Sequence, residues 1–356
     1  MTRFSDTLIN WYTTHKRDLP WRNTKNPYFI WLSEIILQQT RVDQGMSYYL
    51  KFIKEFPTVQ DLARAKNEKV MKLWQGLGYY SRARNLHETA QFITNSLNNQ
   101  FPSSYSNILT LKGVGAYTAA AIASFAYDLP HAVVDGNVYR VLSRVFGLDT
   151  AIDSVKGKKE FLELANSVLN YKRPAIHNQA IMEFGAIQCK PVNPNCTICP
   201  LNSMCVAYDT DRVIELPVKE KKTKVRDRYF NYIVLRYKKK IIIRKRTEKD
   251  IWINLYDFPL IETEKQLTET DFLKSNEWKK FIGKTPFSIT QVSREYKHVL
   301  SHQKIYARFW ELSCKTPLDN LSTNGSIIIP EKELHQYAIS RLIDNYLQSQ
   351  KQFSII

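Results

Sequence analysis

The spacing of apolar residues divides the chain into two parts. Over residues 1–208, apolar residues recur every three or four positions with few β-branched runs, which is typical of amphipathic helices. Residues 209–228 lack this period, become dense in charge and are interpreted as a basic linker. Beyond the linker the period changes, which predicts a mixed sheet with helices over residues 229–350. We therefore expect an α domain followed by an α/β domain.

Strand and helix signals in the second part fit a single mixed-sheet domain. The run YFNYIVLRYKKKIIIRKRT contains two predicted strands joined by a lysine-rich turn at Lys238–Lys240. Further strands and helices follow from the same reasoning. The predicted strands are Tyr229–Arg236, Ile241–Lys245, Ser288–Tyr296 and Lys304–Leu312, and the predicted helices lie near Thr270–Phe281 and Glu331–Leu347.

A glycine-flanked turn in the first part is a candidate phosphate-binding element. Gly113 and Gly115 flank one valine before a small-residue helix that is predicted from about Ala116 to Ala126. The first N–H groups of such a helix lack partners and the helix dipole is positive there, so that the turn attracts phosphate. By itself such a turn is weak evidence. Because Asp135 follows an apolar run soon afterwards, the stretch favours chemistry on a nucleic-acid backbone or its sugar.

Glu34 is the only acid before the polar end of an apolar run, WLSEIILQQTRVD, which is predicted to form a helix over Trp31–Asp43. Large apolar residues flank it at helical spacing. Burial among them is expected to raise its pKa, because desolvation disfavours the charged form, and a raised pKa suits a general acid. An ordinary glutamate on a helix surface is equally consistent with this stretch.

The loop at residues 73–84, LWQGLGYYSRAR, mixes glycines, aromatic residues and arginines. Such a loop is able to push a wedge into a base stack while its arginines hold phosphates. A turn that packs into the core is the alternative, and it would be preferred if the other motifs were absent.

The charge balance favours a polyanionic partner. The chain has 356 residues, enough for two domains, and carries 51 Lys and Arg against 34 Asp and Glu, a net charge of +17. Between Lys219 and Lys249 there are 14 Lys and Arg against 3 Asp and Glu. A solvated edge hairpin and a surface that contacts nucleic acid explain this segment equally well. The charged N-terminus and the lack of a long apolar run lead us to expect a soluble cytoplasmic protein.

Four of the five cysteines are clustered and indicate a metal centre. Cys189, Cys196, Cys199 and Cys205 fall within 17 residues. Disulfides are not expected in a chain without a secretion signal, and clustered thiolates bind either an iron–sulfur cluster or structural zinc. The spacing is asymmetric and lacks the second CxxC of a common zinc ribbon. Cys314 stands apart and is interpreted as a buried free thiol.

Five motifs and these cysteines together form a specific signature. The motifs are LPWR (19–22), WLSEIILQQT (31–40), GLGYYSRARN (76–85), LKGVGAYTA (111–119) and VVDGNVYRVL (133–142). The chain resembles the adenine DNA glycosylases of the MutY type, a branch of the helix-hairpin-helix base-excision superfamily, from Trp11 to about Tyr208 and more weakly beyond. The resemblance implies a helix-hairpin-helix glycosylase domain over residues 1–208, a [4Fe-4S] loop at 189–205 and a Nudix-like 8-oxoguanine-recognition domain over 229–350.

The resemblance also implies a division of labour between two carboxylates. Glu34 matches the general acid that protonates N7 of an adenine flipped out of the duplex. Asp135 matches the carboxylate that stabilises the developing oxocarbenium ion, as in retaining glycosidases. Other matched residues orient these groups or contact the flipped base. These residues are Asn137 and Tyr117 for orientation, and Arg22 and Gln179 for base contact.

Position 117 distinguishes between branches of the superfamily. In the related thymine-glycol glycosylase/lyases a lysine follows the hairpin, and its amine attacks the sugar. Tyr117 stands there in this chain, so we expect a monofunctional glycosylase that leaves an abasic site. A working Nudix hydrolase holds Mg²⁺ with several glutamates on one helix, and this chain has no adjacent Glu-Glu pair. The second domain is therefore expected to recognise a lesion.

The family removes adenine opposite 8-oxoguanine, so the resemblance implies double-stranded DNA with A:8-oxoguanine or A:G mispairs as the partner. Leu300 stands where many family members have phenylalanine, which predicts a less aromatic wedge. On the alternative interpretation, Ser301 and His302 are ordinary turn residues. The residues that match contacts to DNA or to the orphaned base are Gln39, Thr40, Leu77, Tyr79, Gly113, Gly115, Ser301 and His302.

Two other functions stay open from the sequence. A bifunctional glycosylase/lyase for oxidised pyrimidines would form a DNA–protein Schiff base, and Tyr117 argues against it. A non-catalytic iron–sulfur DNA-binding protein would bind the mispair without releasing a base, and the presence of both Glu34 and Asp135 argues against it. We expect a monomer that acts on nucleoid DNA in the cytoplasm.

Overall fold

The structure is a computed structural model that describes residues 2–220, 225–283, 285–318 and 326–353. Its contacts define two compact units. The helical unit combines Met1–Arg64 with Asn85–Lys222, and the sheet unit combines Ala65–Arg84 with Thr223–Ile356. The predicted order of a helical part and a mixed-sheet part is confirmed. No described helix is long and apolar enough to cross a membrane.

The first part of the chain folds into helices that local signals start and stop. Asn26 begins α2 because its side chain accepts a hydrogen bond from the backbone of Tyr28, with Pro27 at the first position. Gly147 ends α9 in the left-handed conformation. The helices are α1 (Thr2–His15), α2 (Pro27–Leu37), α3 (Val42–Glu55), α4 (Val59–Arg64), α5 (Asn67–Trp74), α6 (Ser81–Ser96), α7 (Tyr105–Leu109), α8 (Ala116–Tyr127), α9 (Gly136–Phe146), α10 (Val155–Val168), α11 (Pro174–Ile187) and α12 (Val206–Asp209), with 3-10 turns at Pro20–Arg22 and Asn202–Met204.

The predicted helix over Ala116–Ala126 is confirmed as α8, but the predicted single helix over Trp31–Asp43 is wrong. Helix α2 ends at Leu37 and α3 begins at Val42. Gln39 between them has a φ of 54°, the left-handed region that interrupts a right-handed helix. The polar residues after Leu37 therefore lie on a connection and not on a helix surface.

A core of apolar side chains joins α1, α9, α10 and α11. Phe4, Leu142, Phe161 and Phe184 are among its buried members. Helices α9 and α11 approach each other closely at Gly185, where an added Cβ would lie 2.6 Å from the Cβ of Asn137 and 2.9 Å from its carbonyl oxygen. Only glycine fits this helix crossing without movement.

The second part forms one sheet whose central pair is parallel. Strands β1 and β7 pair in parallel from Arg226 opposite Gln303 to Arg236 opposite Ser313, and the other pairs are antiparallel. The main order is β3-β2-β1-β7-β5, with β4 beside β1, β6 beside β7 and β8 beside β2. The strands are β1 (Arg226–Tyr237), β2 (Lys240–Lys245), β3 (Tyr256–Asp257), β4 (Leu260–Thr263), β5 (Phe287–Val292), β6 (Tyr296–Val299), β7 (Gln303–Cys314) and β8 (Ser326–Pro330).

Helices cover both faces of this sheet. Successive side chains of β7 point to opposite faces. Trp310 stacks on Phe272 of α13 (Glu269–Lys274), near α14 (Asn276–Ile282), whereas Phe309 stacks on Tyr346 of α15 (Arg341–Phe353) with ring centroids 3.9 Å apart. Cys314 is buried in the core on the Trp310 side, which confirms its interpretation as a buried free thiol.

Predicted elements of the second part were located correctly, but several are divided. The prediction for 288–296 covers β5 and part of β6, which separate where the Ser293 hydroxyl accepts a hydrogen bond from Phe309 N (2.9 Å). The predicted helix near 270–281 breaks at Ser275, which caps α14. The predicted helix near 331–347 is a 3-10 helix, Glu331–Gln336, followed by α15. Strand β1 starts at Arg226, which lies inside the predicted linker at 209–228. The predicted domain boundaries at 208 and 229 stay predictions.

The basic hairpin at Lys219–Lys249 is not an edge hairpin. Strand β2 pairs with β1 on one side and with β3 and β8 on the other. Most of its arginines are used within the sheet unit. The ion pairs are Arg228 with Asp250 and Glu262, Arg236 with Glu311 and Glu331, Arg244 with Asp257, and Arg246 with Asp250 and Asp257. The exposed basic groups in the described part of this segment are the turn lysines, Lys238–Lys240, together with Lys219, Arg226 and Lys249.

We predict that Gly185→Ala lowers the free energy of unfolding by about 1–3 kcal/mol, because the new methyl overlaps Asn137 in a packed helix crossing. Urea denaturation followed by helical circular dichroism measures it. Gly136→Ala is the matched control, since an added Cβ there meets nothing within 4 Å. Equal losses in the two variants would contradict the close-packing argument.

Candidate active site

A cavity of about 440 Å³ lies within the helical unit and collects residues from distant parts of the sequence. It is bounded by α2, α8, α9 and α11 together with the turn at Pro20–Arg22. Seven of the predicted site residues line it: Arg22, Glu34, Thr40, Tyr117, Asp135, Asn137 and Gln179.

Glu34 lies on the last full turn of α2 and is 7% exposed. Burial raises its pKa to about 7, and the nearby charge of Asp135 adds to the increase. The hydrogen bond from the Tyr117 hydroxyl and the charge of Arg22 act in the opposite direction. A substantial fraction of Glu34 is therefore protonated near neutral pH, as expected from the raised pKa that the sequence pattern predicted.

Asp135 is the N-cap of α9, and its position follows from the requirements of that helix. Its Oδ1 accepts hydrogen bonds from the backbone of Asn137 (2.9 Å) and Val138 (2.8 Å), and its Oδ2 accepts one from the Asn137 side chain (2.8 Å). Burial raises the pKa of Asp135 above its usual value, although these hydrogen bonds and the charge of Arg140 oppose the increase. Because the donors favour the ionised form, Asp135 is suited to stabilise a positive charge.

Arg140 connects this carboxylate to the cysteine-containing loop. Its Nη2 donates to Asn137 Oδ1 (2.9 Å) and to the carbonyl of Gly185 (2.6 Å), and its Nε donates to the carbonyl of Cys189 (2.8 Å). Asn137 is thereby fixed between Arg140 and Asp135. Sequence reasoning missed Arg140, although a basic residue on the apolar face of α9 (VYRVL) was an available signal.

Glu183 is a further buried carboxylate of the cavity, and sequence reasoning missed it. Burial raises its pKa, but the hydrogen bonds from Arg17 and Arg22 outweigh this and lower the pKa to about 2. The carboxylate lies 2.7 Å from the guanidinium groups of both arginines. Its signal was an acid within the otherwise apolar helix sequence IMEFGA. Glu183 is therefore ionised, and it holds Arg22 in place at the cavity wall.

Gln179 lies one turn before Glu183 on α11, and its orientation is also fixed. Its Oε1 accepts a hydrogen bond from the Tyr12 hydroxyl (2.7 Å), and the Arg22 guanidinium lies over the Tyr12 ring at 5.6 Å. The Gln179 amide and the Arg22 guanidinium thus offer hydrogen-bond donors to the cavity, and both side chains are held in place by neighbouring residues. Such donors suit hydrogen bonds to a planar heterocycle.

The predicted hairpin glycines and Gln39 lie outside the cavity lining. Gly113 has a φ of +79°, and an added Cβ would lie 2.8 Å from the Cβ of Asn85, so glycine is required there. Gly115 precedes α8 as its N-cap, and both glycines are exposed. Tyr117 is the second residue of the same helix. The hairpin glycines therefore lie at the surface, while α8 carries Tyr117 to Glu34.

The remaining predicted contacts lie in the sheet unit, where Tyr79, Ser301 and His302 line another cavity of about 580 Å³. Tyr79 is 46% exposed, whereas Leu77 is 6% exposed and does not line it. The turn that carries Ser301 and His302 is held by a hydrogen bond from Leu300 N to Gln303 O (2.8 Å). Tyr79, and not Leu77, is thus the side chain of this pair that faces solvent.

The four clustered cysteines line one small cavity beside the α9–α11 core. Arg144 donates to the Cys189 sulfur at 3.5 Å, and burial raises the pKa of Cys199 to about 11, with the neighbouring cysteines adding to the increase. Within the described residues, no group of three or more His, Cys, Asp or Glu side chains is arranged to hold a metal ion. Four thiols beside a buried arginine nevertheless form a donor set that suits an iron–sulfur cluster.

Comparison with protein-family models assigns both parts of the chain. Residues 32–167 match the model described as HhH-GPD superfamily base excision DNA repair protein. Residues 231–349 match the model described as NUDIX domain. The first range contains Glu34, Tyr117 and Asp135, and the second contains Ser301 and His302.

Solved structures with the helical fold cover the first part of the chain. A thermostable thymine-DNA glycosylase has a TM-score of 0.54 and 31% sequence identity, covering 58% of this chain and 95% of that chain. An endonuclease III trapped in a covalent intermediate with DNA has a TM-score of 0.51 and 21% identity, covering 58% and 94%. The second similarity supports the fold alone.

Similar sequences share one description. An adenine DNA glycosylase of Buchnera aphidicola subsp. Baizongia pistaciae is 36% identical over 308 residues, which cover 85% of this chain and 84% of that protein. An adenine DNA glycosylase of Mus musculus is 43% identical over 217 residues, which cover 58% of this chain and 42% of that protein. Because the similarity to the first protein spans most of both chains, this chain belongs to the adenine DNA glycosylase family.

Proposed function

We propose that this chain is a monofunctional DNA glycosylase that removes adenine mispaired with 8-oxoguanine or guanine and leaves an abasic site in double-stranded DNA. The observation that carries the proposal is the pairing of Glu34, whose pKa is raised to about 7, with the hydrogen-bonded carboxylate of Asp135 in one cavity. One group supplies a proton and the other supplies negative charge.

The chemistry assigns each carboxylate one task. Glu34 donates its proton to N7 of the flipped-out adenine, so that the bond between C1′ and N9 breaks and its electron pair leaves with a neutral base. Asp135 stabilises the cation that remains on the sugar. Water then adds to C1′, and the Glu34 carboxylate accepts the proton that the water loses.

The cavity lining supports a hydrolase without lyase activity. A lyase requires an amine that forms a Schiff base with the sugar. Among the described residues that line the cavity, none is a lysine, and the hydroxyl of Tyr117 hydrogen-bonds to Glu34. Water is therefore the nucleophile that completes the reaction.

Recognition of the opposite base is assigned to the cavity of the sheet unit. Tyr79 lies with Ser301 and His302 around one opening, which offers an aromatic face and hydrogen-bonding groups to a base. The proposed partner is double-stranded DNA, in agreement with the net charge of +17. We propose that the chain acts as a monomer on nucleoid DNA in the cytoplasm.

We also propose that Cys189, Cys196, Cys199 and Cys205 hold a [4Fe-4S] cluster. The support is their common cavity and the position of Arg144, whose guanidinium lies 3.5 Å from the Cys189 sulfur and would offset thiolate charge. When bound, the cluster would crosslink the loop at 189–205. Arg140 and Arg144 of α9 both donate hydrogen bonds to this loop. The loop therefore helps to position the helix that begins at Asp135.

Single-turnover excision from an A:8-oxoguanine duplex tests the carboxylate pair. We expect Glu34→Gln and Asp135→Asn each to slow base release by at least about 100-fold, with strand scission in the wild type only after alkali. Glu163→Gln, at an exposed glutamate of α10, is the matched control. A Schiff base trapped by borohydride would point to a lyase, and duplex binding without base release would point to a non-catalytic protein.

The pH dependence of the single-turnover rate tests the role of Glu34 as an acid. Its protonated fraction falls as the pH rises through about 7, so the rate should fall over the same range. Removing the Tyr117 hydroxyl removes a hydrogen bond that lowers the pKa of Glu34. Tyr117→Phe should therefore move the decline to higher pH. A decline that stays in place or moves to lower pH would contradict this assignment.

Metal and sulfide analysis of the purified protein tests the cluster. We expect iron and acid-labile sulfide in equal amounts, and loss of both in Cys199→Ala. Cys314→Ala, at a cysteine buried in the sheet unit, should retain them. Zinc in place of iron in the wild type would contradict the proposal.

A further inference from the structure

The segment Ala65–Arg84 belongs to the helical half in sequence but to the sheet unit in its contacts. Residues on both sides of it belong to the helical unit. Helix α5 and the turn after it are therefore held by partners that come more than 150 residues later in the chain. Nothing in the motif that this segment carries requires such an arrangement.

Side chains of α5 and its turn bind the backbone of the loop before α15. Lys72 Nζ donates to the carbonyl of Tyr337 (3.0 Å) and to Gln75 Oε1 (3.0 Å). Gln75 Oε1 also accepts a hydrogen bond from Ile339 N (3.3 Å). That loop is in turn fixed to β3, because Tyr256 N donates to the carbonyl of Ala338 (2.7 Å). Lys72 and Gln75 thus connect the turn to the sheet.

Arg84 makes the corresponding connection at the other end of the segment. Its Nη1 donates to the carbonyl of Ile253 (3.0 Å). The residues on either side, Trp252 and Asn254, have φ values of 62° and 67°, in the left-handed region. Arg84 and Trp252 both line the cavity of the sheet unit. Arg84 therefore fixes a strained loop that forms one of the cavity walls.

The connected segment contains the strained turn that carries Tyr79. Gly76, Gly78 and Tyr79 have φ values of 99°, 74° and 47°. The carbonyl of Gly78 accepts hydrogen bonds from Trp74 Nε1 (3.0 Å) and Arg82 Nη2 (3.2 Å). Glycine adopts such φ values without strain, but Tyr79 does not, and a strained residue persists only when its surroundings over-determine it. Contacts at both ends of the segment are suited to that role.

We infer that Lys72, Gln75 and Arg84 are positioning residues for recognition of the base opposite the excised adenine. They hold Tyr79 at a fixed position relative to the turn Val299–His302, which lines the same cavity. This inference rests on the proposed function, since it assigns the cavity to that base. It adds that discrimination depends on Lys72 and Gln75, which do not line this cavity, as well as on Arg84, which does.

The test compares Gln75→Leu and Arg84→Met with the wild type in the full-length protein. We expect the ratio of single-turnover rates on A:8-oxoguanine and A:G to fall about tenfold in each, because each variant loses part-buried hydrogen bonds that hold the segment. Lys66→Met, at an exposed lysine just before α5, should leave the ratio unchanged. Arg84→Lys keeps a donor for the Ile253 carbonyl and should recover most of the ratio.

Hydrogen exchange separates this inference from the proposed function. Backbone amides of residues 76–80 should exchange faster in Gln75→Leu and Arg84→Met, whatever the substrate. Unchanged exchange would overturn the inference, as would faster exchange with an unchanged ratio of rates. A wild-type ratio near one, with faster exchange in the variants, would instead overturn the proposed opposite-base preference.

Discussion

Desolvation of a single carboxyl group, Glu34, is the constraint on which the organisation of the helical unit depends. Helix α2 is apolar around nearly its whole circumference, and burial of that helix takes Glu34 out of water. Removing this carboxyl group from water would be costly if it were ionised, so its pKa rises to about 7. Tyr117 supplies the hydrogen-bond partner that a buried carboxyl group needs. The same packing that stabilises the fold therefore creates the acid.

Asp135 lies in the same cavity but in a different environment, and that difference gives the two carboxylates different tasks. Capping α9 supplies Asp135 with backbone donors, and Asn137 adds a third hydrogen bond. Asn137 is in turn held by Arg140 of the same helix, at the place where Gly185 lets α11 approach α9 closely. The position and ionisation of the Asp135 carboxylate thus depend on helix capping, on the close packing of α9 against α11 and on the charge of Arg140. Glu183 and its two arginines also line the cavity, and their charges neutralise one another in two ion pairs.

Sequence reasoning predicted those features of the fold and the site that are determined by residues close together in the sequence. The glycine turn before α8 and the apolar surroundings of Glu34 were visible in short stretches, whereas the capping of α9 by Asp135 was not predicted. Arg140 and Glu183 were missed because their partners, Cys189 and Arg17, are distant in sequence and no local pattern indicates them. The break at Gln39 was missed because a left-handed residue in a polar run has no strong sequence signal. The inward orientation of Leu77 likewise depends on packing that pattern reasoning does not reach.

The interrupted order of the two units has a consequence for how the sheet-forming part can be studied. Because Ala65–Arg84 is an insertion from one unit into the sequence of the other, the sheet unit is a discontinuous domain. A shortened chain that stops near residue 220 would keep Lys72 and Arg84 but lose the carbonyls of Tyr337 and Ile253 that they bind. Such a fragment is a glycosylase domain with an unsupported internal segment. A loss of activity in this fragment would have two causes that cannot be separated. One is the absence of the sheet, and the other is the lost support of Ala65–Arg84.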